Sequence, residues 1–460
     1  MEQLLLRRNV SDDKILELFS EKLKSVCTEE QFPQKNCVFC DFVGLPVCIW
    51  QSFDMPLGVI TFPEKQLGFF IRNYSLFLIL SFQRILTLSL TGTFYCREKK
   101  ASFRQYFRAN IPRYSIRNRQ RELLRAFDML FRSCVRILAF PESLKISDQV
   151  DGVDYQQAST EELLQGSRLR RLISFLILYI FWPVRAFHFL CSRFYRKCII
   201  GKYKKKWQIY WRNSAEKEVE FTQVPLNENE LNADPFLVQE DGHLWLFYEN
   251  MKAGEYGRLF VCDLLVKDSA IAPVQIIPEK FHMSFPAVFR YQNEFYMLPE
   301  TKSTNDIRLY KTTFFPFAWK HYYTLLSNIR AVDSIIYEKD GFVYLFTTVY
   351  PFPDCEFAEL RLYYSQKLFS QKWVEHPRSP ISLDVFSNRA AGFIIEEHDE
   401  AFRIVQNGTG EYGVNINFMK IDEISPVCYR EHFETKFLYK GLTHTYNKAA
   451  QYTVIDAKEK

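Results

Sequence analysis

Residues 207–460 read as an all-β five-bladed β-propeller, preceded by a smaller α/β domain over 1–145 and a basic helical linker over 146–206, so the class is mixed. Three observations predict this. The chain changes near residue 207 from long mixed helical runs to short aromatic and β-branched strands separated by polar turns. The second part repeats one pattern four times, in "ADPFLVQEDGHLWLFYE", "FPAVFRYQNEFYMLPE", "AVDSIIYEKDGFVYLFTT" and "AAGFIIEEHDEAFRIVQN". These units begin at residues 233, 285, 331 and 390, a spacing of 46 to 59 that suits one four-stranded blade each.

Each unit holds an apolar strand, a polar turn and an alternating aromatic strand. The Asp241-Gly242 and Asp340-Gly341 turns suit two-residue hairpins, which need φ > 0. Outer strands follow in "GRLFVCDLL", "DIRLYKTT" and "ELRLYYSQK". A fifth blade is expected from "GVNINFMKI" and "YTVIDAK", closed by "WQIYWR" (207–212) so that the ring keeps no open edge. A two-sheet sandwich is the alternative and fits the repeat less well.

Composition bounds the function. Hydrophobic residues are 47% and charged residues 25%, which excludes a disordered or fibrous chain, and 43 Phe with 26 Tyr favour strands. No stretch reaches eighteen apolar residues without a charge, so no membrane span is expected. The start, "MEQLLLRRNVSDDK", lacks a Sec-type signal, and the eleven Cys are scattered, which points to a reducing, cytoplasmic compartment. On that reading the Asn-x-Ser/Thr matches at Asn9, Asn73 and Asn407 arise by chance. Cys37 and Cys40 have metal-ligand spacing but no second pair, and neither a metal nor a cofactor is expected.

The net charge of +5 is uneven: no Asp or Glu lies between Glu162 and Glu216. There Arg170, Arg171, Arg185, Arg193, Lys204 and Lys205 back an apolar run containing Trp182, and Pro183 splits the run in two. Such a pair of basic amphipathic helices suits peripheral contact with an anionic membrane face; packing of the apolar side on a neighbouring domain is the competing reading. Nucleic acid is not expected, since the aromatics sit among aliphatics and not in alternation with the basic residues.

Ala233-Asp234-Pro235-Phe236, "FPAVFRYQNEFYMLPET", "RLYKTTFFPFAWK", "AVDSIIYEKDG", "LYYSQKLFSQKWVEHPRSP", "SNRAAG", "QNGTGEYGVNI" and "THTYN" stand in order over residues 205–457. Together they resemble the five-bladed propeller of family-43 glycosidases and, more closely, the N-terminal propeller domain of plant glucosamine inositolphosphorylceramide transferases and their bacterial relatives. "CDFVGLPV", "MPLGVITF", "LTLSLTGTFY" and "YSIRNRQRELLRAFDMLFRSCVRIL" resemble the formyltransferase-like domain that precedes this propeller in those relatives. Active formyltransferases use an Asn, a His and an Asp. With no His before His188, the resemblance implies a degenerate domain that transfers no formyl group.

The glycosidase resemblance implies a base Asp on blade one, a pKa-tuning Asp on blade three and an acid Glu on blade four. Asp234 and Asp333 match the first two, but Arg389 stands where the acid is wanted. Glu300, on blade two, is the replacement acid, so Asp234, Glu300 and Asp333 are the candidate catalytic carboxyls. Glycoside hydrolysis needs two such groups across the scissile bond. Arg389 would grip a phosphate, a uronate or a neighbouring carboxylate. Gln406, Asn407, Tyr412, His444 and His282 are candidate contacts for sugar hydroxyls, set against the plainer reading of core side chains and turn caps. The expectation is a carbohydrate- or glycolipid-recognising, non-hydrolytic protein of glycan synthesis or modification at a cell surface or on a lipid. A glycosidase or sugar-transferring enzyme using Asp234 and Glu300, and a peripheral scaffold with an inert funnel, are the two alternatives.

Overall fold

The computed structural model describes residues 206–458 apart from 216–219, 267–271 and 355; before them it describes five strands within 37–110 and six helical residues between 125 and 133. The chain divides into two compact units, Met1–Lys204 and Lys205–Lys460. In the first, Cys37–Phe42, Leu45–Ser52, Met55–Thr61, Ile85–Cys96 and Lys99–Asn110 pair antiparallel in chain order. The strand-like motifs quoted above fall on these strands. The basic stretch carrying Arg170, Arg171, Trp182, Arg185, Arg193, Lys204 and Lys205 lies outside the described residues. No described helix is long and apolar enough to cross a membrane.

The second unit is a ring of five antiparallel sheets. Blade I runs from the inner strand Leu231–Glu240 through His243–Met251 and Arg258–Asp263 to Val274–Gln275. Blade II takes Ser284–Tyr291, Glu294–Glu300, Asp306–Phe314 and Ala318–Ser327. Blade III takes Ala331–Lys339, Phe342–Val349, Glu359–Ser365 and Val374–Glu375. Blade IV takes Arg389–Ala390, Glu400–Asn407, Asn415–Ile424 and Tyr429–Phe437.

Blade V closes the ring with both ends of the unit: Tyr446–Ala449, Tyr452–Ala457, then Gln208–Asn213 and Thr222–Gln223. Closure by "WQIYWR" against "YTVIDAK" is as expected, with Ile455 opposite Tyr210. "GVNINFMKI" is not in this blade. It pairs with Glu400–Asn407, to which it is joined by a short loop, and so becomes the third strand of blade IV; local hairpin formation prevails over a distant partner.

The turns explain the inner hairpins. Asp241-Gly242 and Asp340-Gly341 have φ of 49° and 81°, and 49° and 77°. Gln292-Asn293 and His398-Asp399 also hold φ > 0 at both central positions without glycine, the twist that two-residue hairpins require. Aromatic side chains fill the space between blades: Phe236 of blade I meets Phe285 of blade II edge-on at 4.8 Å, and Phe346 of blade III meets Tyr429 of blade IV edge-on at 5.6 Å.

Blades IV and V join through backbone. Tyr446 N–H donates to Ala391 O at 2.7 Å, and Phe393 N–H donates to Asn447 Oδ1 at 3.1 Å. Gly392 lies between these bonds, where an added Cβ would sit 2.1 Å from the Tyr446 carbonyl oxygen. Because that obstacle is backbone, Gly392→Ala forces the joint apart. The expected cost is about 1–3 kcal/mol, the usual scale of overpacking, measured as a lower urea midpoint of the full chain.

Candidate functional site

The inner strands of blades I, II and III each start with a register shift, at Ala233/Phe236, Ser284/Ala287 and Val332/Ile335. The bulged residues Asp234, Phe285 and Asp333 all adopt left-handed backbone, with φ of 51°, 50° and 48°. Asp tolerates this conformation through local hydrogen bonding; Phe285 adopts it only because surrounding structure enforces it. The bulges turn three equivalent side chains toward the meeting point of the blades.

Asp234 is 7% exposed and ties three blades together. Its Oδ1 accepts the Thr445 hydroxyl at 3.0 Å and forms an ion pair with His444 Nε2 at 3.0 Å, both from blade V. Its Oδ2 accepts the Phe285 N–H of blade II at 3.1 Å, and its own N–H donates to Asp456 Oδ2 at 3.0 Å. Asp456 Oδ1 also accepts the N–H groups of His444 and Thr445. His444 Nδ1 lies 3.0 Å from that oxygen but out of line for a hydrogen bond, so the contact is electrostatic. Burial disfavours the His444 charge, yet Asp456 and Asp234 push its pKa up to about 10. Burial likewise raises Asp234, but the bonds and charge of His444 prevail and hold it below the usual carboxylate range. Asp234, His444 and Asp456 offer ligand atoms within 4.8 Å of one another, a spacing that would suit a cation. An imidazolium flanked by two carboxylates, however, has no lone pair to give a metal.

A second cluster surrounds Arg389. Its Nε donates to Asp333 Oδ2 at 2.7 Å, and its guanidinium carbon lies 5.3 Å from the centre of the Tyr412 ring. Among the described residues its two terminal nitrogens have no protein partner, and the side chain is 22% exposed. Gln406 donates to Asp333 Oδ2 at 3.3 Å and to Ala390 O at 2.9 Å. Burial pushes the Asp333 carboxyl above its ordinary range, with the Arg389 guanidinium working in the opposite direction. Tyr412, 45% exposed, lies 5.0 Å from the His444 ring and connects the two clusters.

The third group is acidic. Glu300 is raised to about 8 by burial first and then by the negative charge of Asp333, while Arg389 opposes. Its Oε2 accepts the Ser284 hydroxyl at 3.3 Å. Glu249, which was not among the expected site residues, is pushed well above the usual range by burial and then by Asp234 and Glu300. His282 faces it, with Nε2 3.8 Å from Glu249 Oε1. The structure thus places Asp234, Glu300, Asp333, Arg389, Gln406, Tyr412, His444 and His282 around the meeting point of the blades. Asn407 departs from this set. Its Oδ1 accepts Thr409 N–H and its carbonyl accepts Val414 N–H, so it shapes the turn between two blade IV strands.

Comparison with known proteins bears on this arrangement. The family model for the N-terminal region of glucosamine inositolphosphorylceramide transferase 1 matches residues 220–454. The chain belongs to this family. The glucosamine inositolphosphorylceramide transferase 1 N-terminal match covers blades I to IV and the inner strand of blade V, and so includes every residue of the three clusters but Asp456. The protein of that name from Oryza sativa subsp. japonica is 31% identical over 204 residues, 43% of this chain and 27% of the relative. The one from Arabidopsis thaliana is 31% identical over 219 residues, 46% of this chain and 28% of the relative. The chain therefore spans little more than a quarter of these curated relatives.

Among solved structures, the GH43 protein BlXynB from Bacillus licheniformis is 14% identical with a TM-score of 0.35, covering 46% of this chain and 48% of that one. An α-L-arabinofuranosidase from Lactobacillus brevis is 11% identical with a TM-score of 0.36, covering 48% and 84%.

Proposed function

We propose that the propeller of this glucosamine inositolphosphorylceramide transferase 1 N-terminal family member recognises a glycan or glycolipid, without hydrolysing it, in the synthesis or modification of a cell-surface or lipid-linked glycan. The observation that carries this is Arg389: one nitrogen is fixed by Asp333 while the two terminal nitrogens, beside Tyr412, have no partner among the described residues. A planar guanidinium held in this way is preorganised for bidentate recognition of a carboxylate or phosphate, and the tyrosine ring offers a face for a sugar. The names of the curated relatives support a glycan substrate.

Hydrolysis fits less well. Glu300, raised to about 8, has the proton a general acid needs. Its partner base does not follow, because both oxygens of Asp234 are engaged inside the protein and its pKa is lowered. Contact of the basic stretch 168–206 with an anionic membrane, a cytoplasmic location and a degenerate formyltransferase-like domain over 1–145 belong to the same proposal and rest on sequence alone.

Calorimetry of the full chain with glucosamine, glucuronate and glucose 6-phosphate tests the proposal. The expected result is binding of at least one anionic sugar, weakened roughly tenfold or more in Arg389→Ala, the scale of a hydrogen bond to a charged group. Arg389→Lys should recover little, since an ammonium cannot replace the fork. A wild-type chain that binds none of the three overturns the reading.

A further inference from the structure

Glu249 and Glu300 occupy the same place in adjacent blades. Glu249 lies opposite Ala233 and Glu300 opposite Ser284, in each case the residue just before the bulge of the inner strand. Among the described residues neither makes a close ion pair: the nearest basic group to Glu249 there is His282, at 3.8 Å, too far for a hydrogen bond. His282 Nδ1 accepts the Gly257 N–H at 2.9 Å, so the ring carries its proton on Nε2, aimed at Glu249. The backbone is shaped around this carboxyl, since a Cβ on Gly257 would stand 2.0 Å from Glu249 Oε1 and 2.8 Å from His282 Cε1. The His282 side chain is 42% exposed, so the space before the pair is reached from solvent.

We propose that Glu249 is a ligand-positioning residue that, with Glu300 and His282, forms a wall of hydrogen-bond donors holding the hydroxyl-rich part of an anionic sugar whose charged group lies on Arg389. The inference rests on the carbohydrate reading above. A buried carboxyl without a cation partner stays neutral by keeping its proton, and a neutral carboxylic acid donates. The surrounding charges favour this state. Asp234, Asp456 and Glu300 face Glu249 as acids with His444 as the opposing cation; Asp333 and Asp234 face Glu300, opposed by Arg389 and Lys302. Burial holds His282 below its usual pKa, so it faces Glu249 as a neutral ring.

The donor form of Glu300 is present below about 8 and lost as pH rises through that value. An ionised pair would repel the anionic ligand as well as cease to donate.

Calorimetry of the full chain with glucose 6-phosphate, and with glucose as the uncharged control, reads this out at about pH 6.5 and about pH 9.5. Wild-type affinity for glucose 6-phosphate should fall roughly tenfold or more between the two, beyond any change seen with glucose. At the lower pH, Glu249→Ala should lose roughly tenfold, whereas Glu249→Gln, whose amide keeps the shape and a donor, should recover most of that loss and flatten the pH profile. Gly257→Ala, which displaces the same carboxyl from the other side, should weaken binding in parallel and covers the case in which Glu249→Ala does not fold. The proposal is overturned by Glu249→Ala binding like wild type, or by Glu249→Gln losing as much as Glu249→Ala. Either result beside a normal Arg389→Ala loss removes this inference alone; a wild-type chain that binds no sugar removes the carbohydrate reading with it.

Discussion

Replacing Asp234 with Ala should destabilise the propeller by about 3–5 kcal/mol, the cost of removing one partner from a buried ion pair. The substitution leaves the His444 imidazolium without one of its two counter-charges and orphans the Phe285 N–H and the Thr445 hydroxyl. It also places an alanine at φ 51°, where an L side chain without a compensating bond adds roughly 1 kcal/mol. Asp234→Asn should cost less, since Asn accepts this backbone and can still accept one of the bonds. Urea unfolding of the full chain measures both; a loss below about 1 kcal/mol for Asp234→Ala would show that the joint is not held this way.

The pH dependence has a definite sign. His444 has a folded pKa near 10, above its ordinary value of 6.5, so its contribution is complete below 6.5 and is lost as pH rises through about 10. Asp234 is lowered, so its contribution is present above the ordinary 3.8 and is lost as pH falls through the depressed value. Between the ordinary values of 3.8 and 6.5 the wild-type advantage over Asp234→Ala should be flat, and it should shrink below and above that window.

Much of the architecture was legible because it is local. The Asp-Gly turns and the spacing of the repeats marked the inner hairpins, and the need to close an edge brought residues 207–212 to the last strand. "GVNINFMKI" departs from the expected fifth blade because the short loop after Asn407 makes Glu400–Asn407 its nearest partner in the chain. The site was legible by position more than by role. Asp234 stood out in its Asp-Pro setting, but the partners that engage its carboxylate, His444 and Thr445, lie more than 200 residues away, and no local pattern reveals them. The left-handed Phe285 was invisible for the same reason, since nothing in "SFPAV" asks for φ > 0.

Glu249 could have been found. The first two repeats, "ADPFLVQEDGHLWLFYE" and "FPAVFRYQNEFYMLPE", both end in Glu, Glu249 in the first and the candidate acid Glu300 in the second. In a propeller, equal positions in successive repeats converge on one centre, so a shared terminal acid is a signal of its own.

Arg403→Ala is expected to be as damaging as the loss of Asp234, again about 3–5 kcal/mol, and its consequences should reach the site. Arg403 is 0% exposed on the second strand of blade IV. Its Nε donates to Glu431 Oε2 at 2.8 Å, a terminal nitrogen donates to Glu431 Oε1, and the other donates to the Ser387 carbonyl at 2.9 Å. Removing the guanidinium leaves the Glu431 carboxylate in a cavity where, among the described residues, the Tyr429 hydroxyl at 2.6 Å is its remaining partner. Replacing both partners with apolar residues, Arg403→Met with Glu431→Leu, should recover most of the stability, because no uncompensated charge remains. Sugar affinity should behave differently. Ser387 stands two residues before Arg389, whose inner strand has only two residues, so the Ser387 bond is part of what holds Arg389 in place. The double variant regains the fold but not that bond. Its urea midpoint should return toward wild type while its affinity for glucose 6-phosphate stays reduced, and recovery of both together would show that Arg403 serves the fold alone.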